Sequence, residues 1–386
     1  MITAPIFYLL SLILICGVIV FIERKSQYKI FNYLPSFVLI YILIMILATL
    51  GLWQSNSEIT TLYKETKSLI LPILIFLLML QLDLKLVLQL TPKVLLSFFL
   101  ASFSLILAFI VTYTLFQNAL PQDAWKSFTA LSGSWMGGTA NMVAVAQAIN
   151  TDEVSMGYTL IMDTVNYSVW VAFLLAIVPF SVHFNHFTKA KNTLSITPQI
   201  TLENSSFRLQ FRDYGYLILL IIVAYLVSDI ITRVSIYLPT SDYFTLNSWQ
   251  IILITLAGIT ASFTPLRKVS GSSTVANILL YLLIALIASR ANISEFDKVP
   301  LFIIAGFVIL GFHAILMLLF AKLFKLDLFS CAVASLANIG GIASAPILAS
   351  SYSKALVPIA ILLATLGYVI GTFAALFLGS ILKGIA

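Results

Sequence analysis

Apolar residues in this chain come in long blocks separated by short polar joints, without the two-residue alternation of a half-buried strand. The blocks fall at about 3–22, 34–53, 68–88, 94–116, 127–149, 155–180, 214–238, 247–264, 273–290, 300–321, 330–350 and 355–382. Each is near the roughly 17–25 residues that a membrane-crossing helix needs. The pattern predicts an all-α polytopic membrane protein with 11 to 13 transmembrane helices. The one long hydrophilic stretch, 181–213, carries Lys189, Lys191, Arg208 and Arg212 and divides the blocks six and six. It reads as a linker between a first transmembrane repeat, 1–180, and a second, 214–386.

Two blocks contain the same interruption. Ser132-Gly-Ser-Trp-Met-Gly-Gly-Thr-Ala-Asn141 and Ser335-Leu-Ala-Asn-Ile-Gly-Gly-Ile-Ala-Ser344 superpose after a shift of 203 positions (340 − 137). The shift lays Gly137-Gly138 on Gly340-Gly341 and Ser132 on Ser335. Each glycine costs a helix about 1 kcal/mol against alanine, and hydrocarbon does not tolerate bare backbone. Matched interruptions in two halves predict inverted repeats, each with a discontinuous helix within 127–149 or 330–350, crossing at the midplane around a binding site.

Composition narrows the class further. Only 9% of residues are charged and mean hydropathy is +1.06, far from the values of a soluble domain. The net charge of +6 is spread over short loops and points to no nucleic-acid surface. Cys16 and Cys331 lie in apolar blocks of different halves, which suggests neither a disulfide nor a metal site. The first block has no basic residue before it and Arg24, Lys25 and Lys29 after it, so no cleavable signal is expected and the N-terminus should face outward. Placing Arg24, Lys25, Lys29, Lys85 and Lys93 in the cytoplasm conflicts, under strict alternation through twelve spans, with placing Arg267, Lys268, Lys322, Lys325 and Lys383 there too. An odd total resolves the conflict with the C-terminus cytoplasmic, and 247–264 is the weakest candidate.

Polar residues at membrane depth are costly and default to functional hypotheses. Asp163 is the most telling, with Asn166 one turn later on the same helix face. Deep burial favours the neutral carboxyl, whereas a bound sodium ion would hold it ionised, so the residue suits either coupling ion. The expected coupling-ion set is Asp163, Asn166, Ser134, Asn141 and Ser335, with sodium possible at Asp163. Ser132, Trp135, Gly137, Gly138, Thr139, Asn338, Gly340, Gly341 and Ser344 form the expected substrate site, since half-helix N-termini with neutral oxygens and amides suit a carboxylate-bearing solute. The competing reading of these small polar residues is close helix packing. His313, the one histidine inside a span, is more simply a neutral hydrogen-bonded residue than a proton relay.

The segments 133–142, 337–346, 356–362 and 366–372, with Asp163 and Asn166, resemble the YjcL-like family of bacterial and plastid polytopic membrane proteins over nearly the whole chain. That family is similar to the cation:proton antiporter and anion transporter superfamily, which includes glutamate:sodium and bile acid:sodium symporters. The resemblance implies a core domain moving against a panel domain, and folds of this kind often dimerise through the panel, so a homodimer is one expected assembly. A single Asp where antiporter members carry a pair counts against electrogenic cation exchange. No Walker sequence occurs, and no spacing links Ser132 or Ser335 to His313 as an enzyme's nucleophile and base. The expectation is a non-enzymatic secondary transporter of the cytoplasmic membrane, without cofactor other than sodium or a proton. It would carry a small organic anion or zwitterion, such as an amino acid or short peptide, by elevator-type alternating access. The alternative is a cation:proton antiporter with no organic substrate.

Overall fold

A computed structural model describes residues 1–25, 36–54, 56–190, 211–292 and 297–386. Among them the chain is helical, the sole β feature being a bridge between Ile2 and Trp53. The helices of eight residues or more are α1 (Pro5–Lys25), α2 (Ser36–Thr49), α3 (Ser57–Leu80), α4 (Pro92–Phe116), α5 (Ala124–Gly137), α6 (Thr139–Ala148) and α7 (Glu153–Ala176). They continue with α8 (Ser181–Thr188), α9 (Phe211–Ser235), α10 (Leu246–Ala261), α11 (Ser272–Ala288) and α12 (Val299–Phe324). The last three are α13 (Leu328–Ile339), α14 (Gly341–Tyr352) and α15 (Val357–Ile385). Among the described residues, six of these (α1, α4, α7, α9, α12 and α15) are long and apolar enough to cross a membrane. Much of their surface is apolar and outward-facing: Phe7, Leu14, Leu115, Ile218, Ile230, Ile315 and Phe377 are all exposed.

Local chemistry marks the ends where the polar joints predict them. Asn56 caps α3 by accepting from the Ile59 amide at 2.8 Å, Thr245 and Ser248 form a capping box on α10, and Asp327 caps α13 by accepting from the Ser330 amide at 2.9 Å. The 247–264 block is a true helix. A Cβ on Gly258 would lie 2.6 Å from Met79 Cβ, so the glycine lets α10 and α3 approach closely. Of the expected linker, Ser181–Thr188 is helical, and 191–210 lies outside the described residues.

The chain divides into two compact units. The first comprises Met1–Gln81, Asn150–Leu160 and Arg208–Val299; the second comprises Leu82–Ile149, Ile161–Phe207 and Pro300–Ala386. Within the first, Tyr63 donates to Glu153 Oε1 at 2.7 Å and Tyr8 pairs with Ser289 at 2.7 Å, so its three stretches are joined by half-buried polar contacts. The second unit holds both interrupted segments.

Each interruption is a reversal, where the sequence pattern suggested a broken span. A Cβ on Gly133, in α5, would lie 3.1 Å from Val145 Cγ2, in α6. In one continuous helix twelve residues would separate these positions by about 18 Å. Likewise the rings of Phe329 and Tyr352, at the far ends of α13 and α14, stack edge to face with centroids 5.3 Å apart. Both segments are helical hairpins, α5/α6 and α13/α14. The two start at opposite ends of the unit. Trp125, at the start of α5, meets Lys383 near the end of α15 at 5.8 Å. At the other end, the Leu328 amide that opens α13 donates to Asn185 Oδ1 of α8 at 2.8 Å.

Candidate functional site

The first hairpin turns on Gly138, whose φ of 81° and ψ of 172° form a combination open essentially to glycine alone. Its neighbour Gly137 serves another purpose. A Cβ there would sit 1.9 Å from Asn141 Nδ2 and 2.9 Å from the Gly367 carbonyl of α15, so the missing side chain leaves room for both. Asn141 uses that room to donate to the Tyr368 carbonyl at 3.0 Å. Ser132 donates within its own helix to the Thr129 carbonyl at 2.7 Å, and Thr139, the first residue of α6, is partly accessible at the tip.

The second hairpin repeats the device. Gly341 takes a left-handed φ of 57°, and a Cβ on Gly340 would sit 1.9 Å from Ser344 Oγ and 2.7 Å from Tyr167 Cε2. Asn338 accepts from Ser102 at 2.8 Å and donates to the Ala334 carbonyl at 2.9 Å. Neither α6 nor α14 has a side-chain cap at its N-terminus, which lies at the tip in both cases.

The tips converge on α15. A Cβ on Gly367 would meet the Met136 carbonyl at 3.0 Å and the Ala337 carbonyl at 3.6 Å, one from each hairpin. Two tyrosines complete the arrangement reciprocally. Tyr368, on the helix after the second hairpin, lies over Gly138 of the first, with its hydroxyl 3.5 Å from a Cβ built there. Tyr167, on the helix after the first hairpin, lies against Gly340 of the second.

Asp163 is buried beneath the first hairpin. Its Oδ1 accepts from Trp135 Nε1 at 2.8 Å and its Oδ2 from Ser134 Oγ at 3.0 Å. Both partners are neutral. A carboxylate in that setting needs a proton or a cation to offset its charge, because burying an unpaired charge is costly. Trp135 is fully buried and edge-on to Phe109 at 5.6 Å, which locks its indole towards the carboxylate. Asn166 points elsewhere. It donates to the Ile303 carbonyl of α12 at 3.0 Å, against Gly306, and its Oδ1 is buried without a hydrogen-bond partner.

Ser335 belongs to a separate chain of bonds. It accepts from Trp170 Nε1 at 3.0 Å and lies 2.8 Å from His313 Nε2, while His313 Nδ1 lies 2.7 Å from Ser104, which donates to the Ala101 carbonyl. Each group has one consistent role only if Ser335 donates to Nε2 and Nδ1 carries the proton, which assigns His313 as neutral.

The structure thus gathers Ser134, Trp135, Gly137, Gly138, Asn141 and Asp163 at one hairpin and Asn338, Gly340, Gly341 and Ser344 at the other, and it ties Ser335 to His313. Sequence reasoning did not pick out Gly306 or Tyr167, and it used Gly367, Tyr368 and Gly371 only as part of the 366–372 resemblance, with no role at the site. The Gly-x-x-x-Gly spacing of 367 and 371 was a usable signal, since it permits close helix approach. A Cβ on Gly371 would lie 2.6 Å from the Gly137 Cα.

These features define an all-helical, multi-pass membrane protein with paired helical hairpins in one unit. The chain belongs to the family described as "Protein of unknown function (DUF819)", whose profile matches residues 11–385. It is similar to the protein described as "Uncharacterized membrane protein YjcL" of Bacillus subtilis (strain 168), 23% identical over 360 residues that cover 87% of each chain.

Proposed function

We propose that the protein is an ion-coupled secondary transporter with two inverted repeats, whose hairpins are re-entrant and enter the membrane from opposite sides. The observation that carries this reading is the meeting of both tips at Gly367, beside a buried carboxylate with only neutral partners. Asp163 would bind the coupling sodium or proton. Uncapped N-termini at the tips, with Thr139, Asn141 and Ser344 nearby, suit the carboxylate of a small organic anion or zwitterion. Tyr167 and Tyr368 would flank that solute. Confinement of both hairpins to one compact unit favours an elevator mechanism, in which that unit carries the site past the other.

Re-entrant hairpins also remove most of the conflict among the loop cations, Lys383 alone falling on the other side. With α5/α6 and α13/α14 returning to the side they entered, ten helices cross the bilayer. The loops holding Lys25, Lys93, Arg267 with Lys268, and Lys322 with Lys325 then all face the cytoplasm. Both termini would face outward, with Lys383 at the outer end of α15, in place of the odd total of 11 to 13 spans and the cytoplasmic C-terminus expected from the sequence.

The test is thermal stability of the purified protein with and without sodium, then with amino acids, dipeptides and carboxylates, repeated in Asp163→Asn. A ligand of the native state raises Tm by mass action. A sodium-dependent rise that the variant loses, enlarged by one class of solute, supports symport. A rise with sodium that no solute enlarges favours the antiporter reading, and no dependence on sodium, pH or solute overturns the site.

A further inference from the structure

We infer that the second unit holds the acyl chain of an anionic phospholipid in a cavity between α7, α12 and α13, with the headgroup seated on the lysines around α8. The cavity of about 310 Å3 is lined by Trp170, Phe173, Ile177, Phe180, Met317 and Cys331, among others. It opens laterally, because the lining residues Phe173, Phe180 and Leu318 are exposed and so are their neighbours Val169, Ile315 and Leu323. Its inner end reaches His313 and Ser335. Both ring nitrogens and the Ser335 hydroxyl proton are engaged with Ser104, Trp170 and each other, so the end offers a polar solute no free donor. The occupant is therefore apolar along its length, which in a bilayer means an acyl chain.

The charge at the mouth selects among lipids. The α8 segment lies where α12 ends, and Lys322 donates to the Phe187 carbonyl while sitting over the Phe187 ring at 4.1 Å. Lys189 and Lys325 are exposed at the same end, as are His183 and His186. The nearby acid, Asp327, lines a pocket with Lys189 and His186, but it is buried and both its oxygens are engaged as a helix cap, accepting the amide and the hydroxyl of Ser330 at 2.9 Å. Val182 and Phe187 are exposed on α8 beside the lysines, the composition of a helix lying in the headgroup layer. Apolar depth under a cationic rim fits a phospholipid with a net negative headgroup, and each lysine near a membrane surface favours such a lipid by roughly fivefold in affinity.

The experiment titrates the detergent-purified protein with dioleoyl phosphatidylglycerol, dioleoyl phosphatidylcholine and inorganic phosphate, reading Tm. Phosphatidylglycerol should raise Tm saturably at concentrations well below those phosphatidylcholine needs, and phosphate should do nothing. The pair Lys189→Glu and Lys322→Glu should remove the preference between lipids, and Ala314→Trp, which fills the cavity, should remove the response. Because Ala314→Trp can fail to fold, acyl-brominated phosphatidylglycerol provides a second reading. It should quench the fluorescence that distinguishes the native protein from Trp170→Phe. Equal responses to the two lipids, a shift with phosphate alone, or no quenching assigned to Trp170 would each overturn the proposal.

Discussion

The side-chain amide of Asn141 rests on the bare Cα of Gly137, with no room for a Cβ between them, and Ser344 rests on Gly340 in the same way 203 positions later (344 − 141). The first glycine of each pair is thus a seat for the side chain four residues on. The second supplies the positive φ of the turn. Gly137→Ala would push Asn141 off its bond to Tyr368, and overpacking of this kind costs about 1–3 kcal/mol. Lower Tm together with lost transport is the expected result; wild-type behaviour in both would contradict the nesting.

Asp163→Asn keeps the shape of the side chain and removes its charge. Sodium or proton dependence should vanish, while a normal gel-filtration profile shows that the fold survives. Trp135→Phe removes one donor to the same carboxyl, and hydrogen bonds to charged groups contribute roughly 1.5–3 kcal/mol. Its apparent ion affinity should move by tenfold or more on that scale.

Two glycines of α12 make a matched pair. A Cβ on Gly306 would fall 2.2 Å from Asn166 Oδ1, whereas one on Gly311 meets nothing within 4 Å. Gly306→Ala should lower Tm. Gly311→Ala should leave it unchanged or raise it, since alanine favours a helix by about 1 kcal/mol over glycine. Equal effects at the two positions would contradict the placement of Asn166.

His313→Gln tests the assignment of a neutral histidine. The amide can donate and accept as the neutral imidazole does, so the pH profile of transport should keep its shape even if Tm falls. A lost or displaced pH optimum would instead make His313 part of the proton path.

Topology can be read with a membrane-impermeant maleimide. Gly384→Cys lies at an exposed position and should label in intact cells, while Lys325→Cys should label only after the membrane is opened. Cys16 and Cys331 are both buried and need not be removed.

The order of apolar blocks, the sites of both interruptions and a carboxylate at depth were legible in the residues themselves, because burial in hydrocarbon and glycine's backbone freedom act locally. The direction of each interrupted segment was not. Half a crossing and one arm of a hairpin are both apolar stretches of 10 to 14 residues, as α5 and α6 are, and only contact between Gly133 and Val145 separates them. The same holds for partners. Ser335 matched Ser132 in the repeat, yet it bonds to His313 and Trp170, while Asn166 turned from Asp163 to Ile303. Hydrophobic patterning specifies which residues leave water; which of them touch is decided by helix packing, where a missing Cβ at Gly306, Gly340 or Gly367 sets how closely two backbones can approach.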